Sequence, residues 1–359
     1  MRNAPDAYDV QVVTRNDDHG SPTLLPVESD IWTQRDGVRV RYVSMTDLKS
    51  LARAMAAVRG IRPELIYVNS FFNVKMSIIP QLLHRLGYFR SARLLVAPRG
   101  EFGTAALGLR SAKKELYLGV YRLLGLRRRV TWQASTKAEE TDIERVWGPG
   151  ASIIVRENDT LLPAVSDPRA IPTDDDVARP LSLVSVGRLV EHKGLHLVLE
   201  GLQNAEHPIE LDVYGPEEDP LYVNRCTALV DLLPSHVTVR FHEPVPHENV
   251  REVIARYDAL VMATAGENFG HVIAEALSVA CPVLCSDTTP WSRVLAEGGG
   301  VVVPERTPVS WRDELSTYAA LDRAGRILRR RRAGSAYDAW KAQTTGPHIF
   351  DLALKRPRD

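Results

Sequence analysis

Residues 180–194 read PLSLVSVGRLVEHKG. The apolar run before Gly187 predicts a buried strand, and Arg188 and Lys193 then fall in the turn that leads into a helix beginning near Lys193. Such a turn presents free backbone N–H groups and the positive end of a helix dipole. A guanidinium fork and a point charge placed there suit a diphosphate, although the same residues also fit a plain loop with solvated cations.

Short segments rich in Val and Ile alternate with amphipathic stretches on both sides of this turn. This alternation predicts an α/β chain with two doubly wound, Rossmann-like domains and a ligand cleft at the carboxyl ends of the strands. We predict strands at 8–14, 37–44, 64–70, 93–99, 152–158, 180–187, 209–215, 237–243, 258–264, 282–287 and 300–304. We predict helices at 46–59, 74–87, 111–125, 137–147, 193–203, 221–232, 247–256, 269–279, 289–297 and 308–332.

The stretch from 163 to 180 is rich in proline and aspartate and lacks periodicity. It predicts a linker at 166–180 between an N-terminal domain, 1–165, and a C-terminal domain, 181–335. A tail, 336–359, is expected to pack back toward the N-terminal domain. The acidic run Asp174–Asp176 lies in this linker, which favours a solvated segment over a metal-binding DxD motif.

Composition excludes several classes of protein. The 359 residues suffice for about two domains. Lys and Arg number 45, as do Asp and Glu, and a net charge of zero argues against a nucleic-acid partner. No apolar run is long enough to span a membrane, and the first ten residues lack a signal-peptide core, so we expect a cytoplasmic protein. Cys281 and Cys285 flank an apolar strand and are interpreted as buried thiols.

A second motif lies at residues 266–277, GENFGHVIAEAL. Glu267 follows an apolar strand, and Glu275 lies about two turns further on, inside the predicted helix. Carboxylates accept hydrogen bonds only, which suits the vicinal hydroxyls of a ribose or another sugar. Backbone N–H groups at Phe269, Gly270 and His271 could receive phosphate or sugar oxygens at the helix start.

The two motifs together resemble the retaining GT-B glycosyltransferases of family 4, also called glycosyl transferases group 1. The resemblance extends through SDTTPW (286–291) and GGGVVVP (298–304) and, in the first half, through APRGEFGTAALGLRSAKK (97–114). It covers nearly the whole chain and implies a transferase that moves a hexose from a nucleotide sugar, a UDP- or GDP-sugar first of all, to a glycan or lipid-linked acceptor. The expected role is in surface polysaccharide synthesis, with no cofactor and no metal.

The resemblance also implies roles for individual residues. Arg188 and Lys193 hold the donor diphosphate and stabilise the leaving group, Glu267 binds hydroxyls of the transferred sugar, and Glu275 binds the ribose. Further binding contacts come from Gly187 and from the backbone of Asn268, Phe269, Gly270 and His271. The loop from His242 to Pro244 lies near the nucleobase.

On the acceptor side, the family often has His-Gly where this chain has Arg99 and Gly100. An arginine stays protonated and cannot act as a general base, but it could clamp a phosphate or an acidic acceptor. The neighbouring Glu101 could bind acceptor hydroxyls. The alternative for Arg99 and Glu101 is a loop ion pair.

Two basic segments have alternative interpretations. The helix region 111–129 carries Leu116, Val120, Leu123 and Leu124 among Lys and Arg residues. In many relatives such a face lies on an anionic membrane, which would place this protein peripherally at the inner face of the plasma membrane. The alternative is a core-facing apolar side with solvated cations opposite. The run Arg326–Arg332 is interpreted as the solvated face of a final helix.

Family members begin with a strand, a Gly-Gly loop and a helix before the segment that residues 8–14 match. We therefore expect that the sequence given lacks this first unit, with the alternative that another segment fills its place. One alternative function is a catalytically silent protein that binds a nucleotide sugar or acts as a scaffold. A second alternative is a GT-B-like epimerase or phosphorylase, and the two motifs fit this second alternative less well.

Overall fold

A computed structural model describes residues 4–5, 7–17, 24–35, 37–89, 91–108, 111–127, 129–167, 179–344 and 346–356. The strands are β1 (Gln11–Arg15), β2 (Trp32–Arg35), β3 (Val38–Val43), β4 (Leu65–Asn69), β5 (Arg93–Ala97), β6 (Val130–Ala134), β7 (Ser152–Val155), β8 (Leu181–Val186), β9 (Ile209–Tyr214), β10 (Val237–His242), β11 (Ala259–Met262), β12 (Val283–Ser286) and β13 (Gly300–Val303).

The helices connect these strands in the expected alternation. They are α1 (Leu48–Ile61), α2 (Ile79–Arg85), α3 (Thr104–Gly108), α4 (Ser111–Leu123), α5 (Lys137–Trp147), α6 (Leu195–Leu202), α7 (Pro220–Val230), α8 (Val250–Ile254), α9 (His271–Ser278), α10 (Ser292–Val294), α11 (Pro308–Ala319), α12 (Arg323–Gln343) and α13 (Ile349–Lys355). Short 3₁₀ turns at Glu191–Lys193 and His247–Asn249 and π-helical turns at Val74–Ile78 and Leu295–Gly299 precede or follow some of them.

The chain folds into two compact units. The first contains Met1–Leu161 together with Gly346–Asp359, and the second contains Leu162–Thr345. Most of the linker predicted at 166–180, including Asp174–Asp176, lies outside the described residues. Because α12 continues to Gln343, the second unit extends beyond residue 335.

The second unit is built on a six-stranded parallel sheet in the order β10-β9-β8-β11-β12-β13. Relabelled within the unit, this is the Rossmann strand order 3-2-1-4-5-6, which reverses direction between β8 and β11. Leu183 and Val184 are adjacent on β8, point to opposite faces and are both fully buried, because helices cover both sides of the sheet. The predicted strands of this half are confirmed to within a residue or two.

The first unit contains two sheets. β4-β5-β6-β7 form a four-stranded parallel sheet, and β1 and β3 pair in parallel while β2 joins β3 in antiparallel fashion. Strands β2 and β6 were not predicted. Strand β6 is five residues long and almost wholly buried, and its Trp132 stacks on Trp147 with ring centroids 5.4 Å apart.

The last helix belongs to the first unit. The Tyr8 hydroxyl donates to Asp351 over 2.6 Å, and the Arg93 guanidinium donates to the Ala353 carbonyl over 3.1 Å. Arg356 donates to Ser152 and to the carbonyl of Ile153, so that α13 is held against β5 and β7. The end of the chain therefore completes the core formed by its beginning.

The prediction of a single helix at 308–332 is wrong. The structure has two helices there, α11 and α12, and Asp322 caps the second by accepting a hydrogen bond from the Gly325 N–H over 2.7 Å. The run Arg326–Arg332 is also not uniformly solvated. Arg330 is fully buried and donates to the backbone carbonyls of Tyr257, Ala255 and Val279.

Replacement of Arg330 tests whether α12 is anchored by these hydrogen bonds. We expect Arg330→Ala to lower the free energy of unfolding by about 3 kcal/mol, because it removes three hydrogen bonds to backbone carbonyls, two of them buried, and opens a cavity. The adjacent Arg331 is exposed, so Arg331→Ala should change the free energy of unfolding by less than about 0.5 kcal/mol. Urea denaturation measures both values, and equal effects of the two variants would contradict the anchoring role.

Candidate functional site

The predicted site residues of the second unit gather where the strand order reverses. The loop after β8 carries Arg188 and Lys193, and the loop after its neighbour β11 carries Glu267. At such a switch point the two connections leave toward opposite faces of the sheet, which opens a crevice at the carboxyl ends of the strands. The topology therefore brings together residues that lie 74 positions apart in sequence.

A close backbone contact fixes the two loops against each other. Gly194 has a φ of 72°, and a Cβ at this position would overlap the carbonyl oxygen of Ala263, just after β11. Only glycine fits this position. The contact holds the neighbouring Lys193 opposite Glu267, where its ammonium donates to the Glu267 carboxylate over 2.5 Å. The lysine and glutamate side chains are 22% and 14% exposed.

Two side chains that the sequence analysis did not single out hold Glu267 in place. The buried Thr264 hydroxyl lies 2.9 Å from Glu267 Oε1 and accepts from the Gly266 N–H. The His192 ring donates to the Gly266 carbonyl over 2.9 Å, and the Ala265 N–H donates to the His192 carbonyl. The His192 contacts join loops that lie far apart in sequence, whereas Thr264 lies only three residues before Glu267.

Helix α9 starts beside this pair without a side-chain cap. Its first residue is His271, and the preceding Gly270 has a φ of 79°. Phe269 is buried. The Trp291 indole donates to the Phe269 carbonyl, which fixes the loop between Glu267 and the helix. Trp291 belongs to the SDTTPW motif, but its spacing alone gave no role for it.

Glu275 is a buried carboxylate within α9. Its carboxylate lies 3.4 Å from Nδ1 of His247, an exposed residue on the turn between β10 and α8. Burial raises the pKa of Glu275, and the nearby His247 and Arg251 partly offset this effect. A buried carboxylate has about four acceptor sites, and the contact with His247 leaves room for further hydrogen-bond donors.

Arg188 and the predicted nucleobase loop lie at the rim of the same strand ends. Arg188 pairs with Glu218 over 3.0 Å, and both side chains are about half exposed. The preceding Gly187 donates its N–H to the Tyr214 carbonyl. His242 stacks on Tyr214, with ring centroids 4.5 Å apart, and lies 2.6 Å from Asp212.

The predicted acceptor residues lie in the first unit, at the end of β5. The Gly100 N–H donates to Glu139 over 2.6 Å. The Glu101 carboxylate accepts from the Ser70 hydroxyl and from the backbone N–H groups of Phe71 and Phe72. Glu101 thus ties β5 to the loop after β4, and Arg99 donates to three neutral groups rather than forming an ion pair with Glu101.

Other sequence-based interpretations concern metals, thiols and membranes. Within the described ranges no group of three or more His, Cys, Asp or Glu residues could hold a metal ion. Cys281 and Cys285 are buried free thiols, and burial raises the pKa of each to about 12. None of the helices that the structure describes is long and apolar enough to cross a membrane.

Solved structures share this architecture. Sucrose-phosphate synthase from Thermosynechococcus elongatus superposes with a TM-score of 0.70 at 18% identity, over 94% of this chain and 86% of that one. HepE from Anabaena, solved in complex with UDP-glucose, gives a TM-score of 0.64 at 15% identity, over 93% of this chain and 95% of that one. The predicted GT-B fold, with two Rossmann-like α/β domains, is confirmed.

Sequence comparison points to the same group of proteins. Residues 176–331 match the family model of the glycosyl transferases group 1, which supports the resemblance over the second unit. A D-inositol 3-phosphate glycosyltransferase from Xylanimonas cellulosilytica is 26% identical over 242 residues, 62% of this chain and 57% of the relative. Its counterpart from Corynebacterium urealyticum is 30% identical over 145 residues, 38% of this chain and 34% of the relative. The matches thus span less than two thirds of either relative.

The buried Glu275 makes stability depend on pH. Its pKa is higher in the folded protein than the 4.5 of an exposed glutamate, so its contribution to stability is present below that pH and is lost as the pH rises through the raised pKa. We expect Glu275→Gln to unfold at neutral pH with a free energy equal to or above that of the wild type. This advantage should disappear in mildly acidic solution.

Urea denaturation across this pH range measures the effect. Glu252→Gln is the matched control, because Glu252 is an exposed carboxylate on the neighbouring helix α8. A Glu275→Gln variant less stable than the wild type at neutral pH would show that the carboxylate contributes to the fold.

Proposed function

We propose that this protein is a retaining glycosyltransferase of family 4 that transfers a hexose from a nucleotide sugar to a glycan or lipid-linked acceptor, in the synthesis of a surface polysaccharide. The observation that carries the proposal is the Lys193–Glu267 pair at the switch point of a Rossmann sheet. It places a cation for phosphate next to a carboxylate for sugar hydroxyls, as a nucleotide sugar requires.

In this proposal each part of the donor has its own position in the second unit. The diphosphate lies by Arg188, Lys193 and the start of α9, where N–H groups and the helix dipole favour negative charge. The exposed Arg188–Glu218 pair is weak, so that Arg188 can exchange Glu218 for a phosphate at little cost. Glu275 accepts hydrogen bonds from the ribose, and Glu267 accepts them from the transferred sugar.

The catalytic step follows from this placement. The bond between the anomeric carbon and the diphosphate oxygen breaks while the acceptor oxygen attacks the same face of the sugar. The acceptor proton passes to an oxygen of the departing diphosphate. Arg188 and Lys193 stabilise the negative charge that develops on the leaving group, which makes electrostatic stabilisation the main catalytic effect and requires no metal.

The donor is proposed to be a UDP-hexose, with uracil as its base. HepE from Anabaena was solved with UDP-glucose, and its fold matches almost the whole of this chain. The stacked pair Tyr214–His242 at the ends of β9 and β10 gives a base a flat aromatic neighbour.

Helix α4 provides the basis for a peripheral membrane contact at the inner face of the plasma membrane. Leu116 and Leu123 are 70% and 87% exposed, and Val120 and Leu124 are exposed beside them. The side of the helix that faces the core is instead formed by Leu118 and Tyr121. The alternative in which Leu116, Val120, Leu123 and Leu124 face the core is therefore wrong. Lys113 on α4 and Arg127, four residues after its end, are exposed on either side of the apolar residues in sequence, which suits an anionic lipid surface.

The donor site is tested by thermal shift against UDP-, GDP-, ADP- and dTDP-sugars. A donor at 100 times its dissociation constant should stabilise the protein by ~2.7 kcal/mol, and we expect a selective shift with the UDP-sugar. Lys193→Ala and Glu275→Ala should abolish this shift and lower kcat by on the order of 10²-fold or more, because each removes a direct contact to the donor.

The controls for this experiment are Arg256→Ala and Glu252→Ala, an exposed pair in the same unit. Both should keep the shift. Binding without turnover on any acceptor would instead support the silent nucleotide-sugar-binding protein. Retention of full activity by the Lys193 and Glu275 variants would refute the site assignment.

The membrane contact is tested by co-sedimentation with vesicles of phosphatidylglycerol and phosphatidylcholine. We expect the double variant Leu116→Ser, Leu123→Ser to lose binding, because each leucine would bury apolar area worth roughly 1.5–3 kcal/mol. Leu221 and Leu232 are equally exposed in the second unit, and their replacement by serine is the control. Equal binding of both double variants would contradict a role for α4.

A further inference from the structure

Arg99 is held in an uncommon backbone conformation. It follows β5 by two residues and has a φ of 56°, in the left-handed region that residues other than glycine rarely adopt. Such a conformation costs on the order of 1–3 kcal/mol unless surrounding contacts enforce it, and it occurs often at ligand sites. The contacts of the guanidinium group show what this conformation achieves.

Three neutral oxygens fix the guanidinium of Arg99. Nε donates to the side-chain oxygen of Asn69 over 2.7 Å, at the end of β4. One terminal nitrogen donates to Asn158, beyond β7, and the other donates to the Tyr67 hydroxyl. The Tyr67 hydroxyl donates its own hydrogen to Gln133 on β6 over 2.6 Å, so that its oxygen accepts from Arg99. Burial raises the pKa of Tyr67, which keeps this group uncharged.

The positive charge of Arg99 has no carboxylate partner within the described parts of the chain. Three carboxylates of the same unit are engaged elsewhere. Glu101 accepts from the loop after β4, Glu139 accepts from Gly100 and Ser135, and Asp159 pairs with Arg156. The sequence-based alternative of a loop ion pair between Arg99 and Glu101 is therefore wrong.

The hydrogen-bond capacity of Arg99 is only partly used. A guanidinium has five N–H donors, and three of them are engaged by Asn69, Asn158 and Tyr67. Each terminal nitrogen retains one N–H, which is the number that a bidentate contact to a carboxylate or phosphate needs. The group lies at the carboxyl ends of β4 and β5, the edge of a parallel sheet at which ligands bind.

We propose that Arg99 is an anion-recognition residue, and that the sugar-bearing acceptor bound by the first unit carries a phosphate or a carboxylate. A fixed cation surrounded by neutral oxygens is ready for an anion, because no internal ion pair must break before the anion binds. The proposal rests on the proposed function, since it names the acceptor class of the same enzyme.

The experiment measures binding of three probes to the full chain by isothermal titration. The probes are glucose 6-phosphate, glucuronate and methyl glucoside, with UDP at saturation so that Arg188 and Lys193 are already occupied. We expect one anionic probe to bind at least about tenfold more tightly than methyl glucoside. A preference for glucose 6-phosphate indicates a phosphorylated acceptor, and a preference for glucuronate indicates an acidic sugar.

Two variants remove the free charge in different ways. Arg99→Gln deletes the cation, whereas Asn158→Asp keeps the arginine and gives it a carboxylate of the same size as the asparagine. Both should abolish the preference for the anionic probe and leave the affinity for UDP unchanged within about twofold. Arg122→Gln is the control, because Arg122 is an exposed arginine of the same unit that donates to a backbone carbonyl.

The proposal is overturned if the wild type shows no preference for either anion, or if both variants retain the preference. Failure of the wild type to bind UDP would contradict the proposed function, and the comparison of Arg99→Gln and Asn158→Asp with the wild type would still test Arg99. If Arg99→Gln does not fold, Asn158→Asp gives the result, because its side chain has the same shape as the native one.

Discussion

The contact between Gly194 and the carbonyl of Ala263 is the constraint on which the proposed donor site depends. It brings the loop after β8 against the end of β11, and these strands are neighbours because the strand order reverses between them. This contact places Lys193 opposite Glu267. Thr264 and His192 hold the loop that carries Glu267. The site is therefore a product of sheet topology rather than of any single motif.

Residues behind this contact support the loop that leads into α9. Trp291 fixes the loop before α9 through the Phe269 carbonyl, and Trp291 in turn packs on Trp340 of α12, with ring centroids 4.6 Å apart. Arg330 anchors the same helix to three backbone carbonyls. The cost of burying the Glu275 carboxylate is partly offset by His247 and Arg251, which favour its ionised form.

Much of the fold was predictable from the sequence because buried parallel strands and their amphipathic helices leave a local pattern. Strands β8 to β13 and the motifs around Lys193 and Glu267 were found in this way.

Strand β6 was missed because five residues between a basic run and a helix carry little periodicity, and the break at Asp322 depends on one capping side chain. Trp291 and His247 could not be found, because each acts through a contact with a distant part of the chain. Thr264 lies only three residues before Glu267, but the fold of their loop is what brings its hydroxyl to the carboxylate. The exposure of Leu116 and Leu123 is equally a tertiary property, since their spacing fits a core-facing side as well as an exposed one.

The two units hold their cations in different electrostatic environments, and this difference has a functional consequence. Lys193 and Arg188 lie beside carboxylates, so an anion that binds there competes with Glu267 and Glu218 for them. Such competition favours a ligand with high charge, such as a diphosphate, over a singly charged one. Among the residues that the structure describes, Arg99 has neutral partners alone, which orient it without reducing its charge. An anion of a single charge can therefore bind to Arg99 without displacing an internal partner, and the neutral cradle of Asn69, Asn158 and Tyr67 keeps the guanidinium oriented before it arrives.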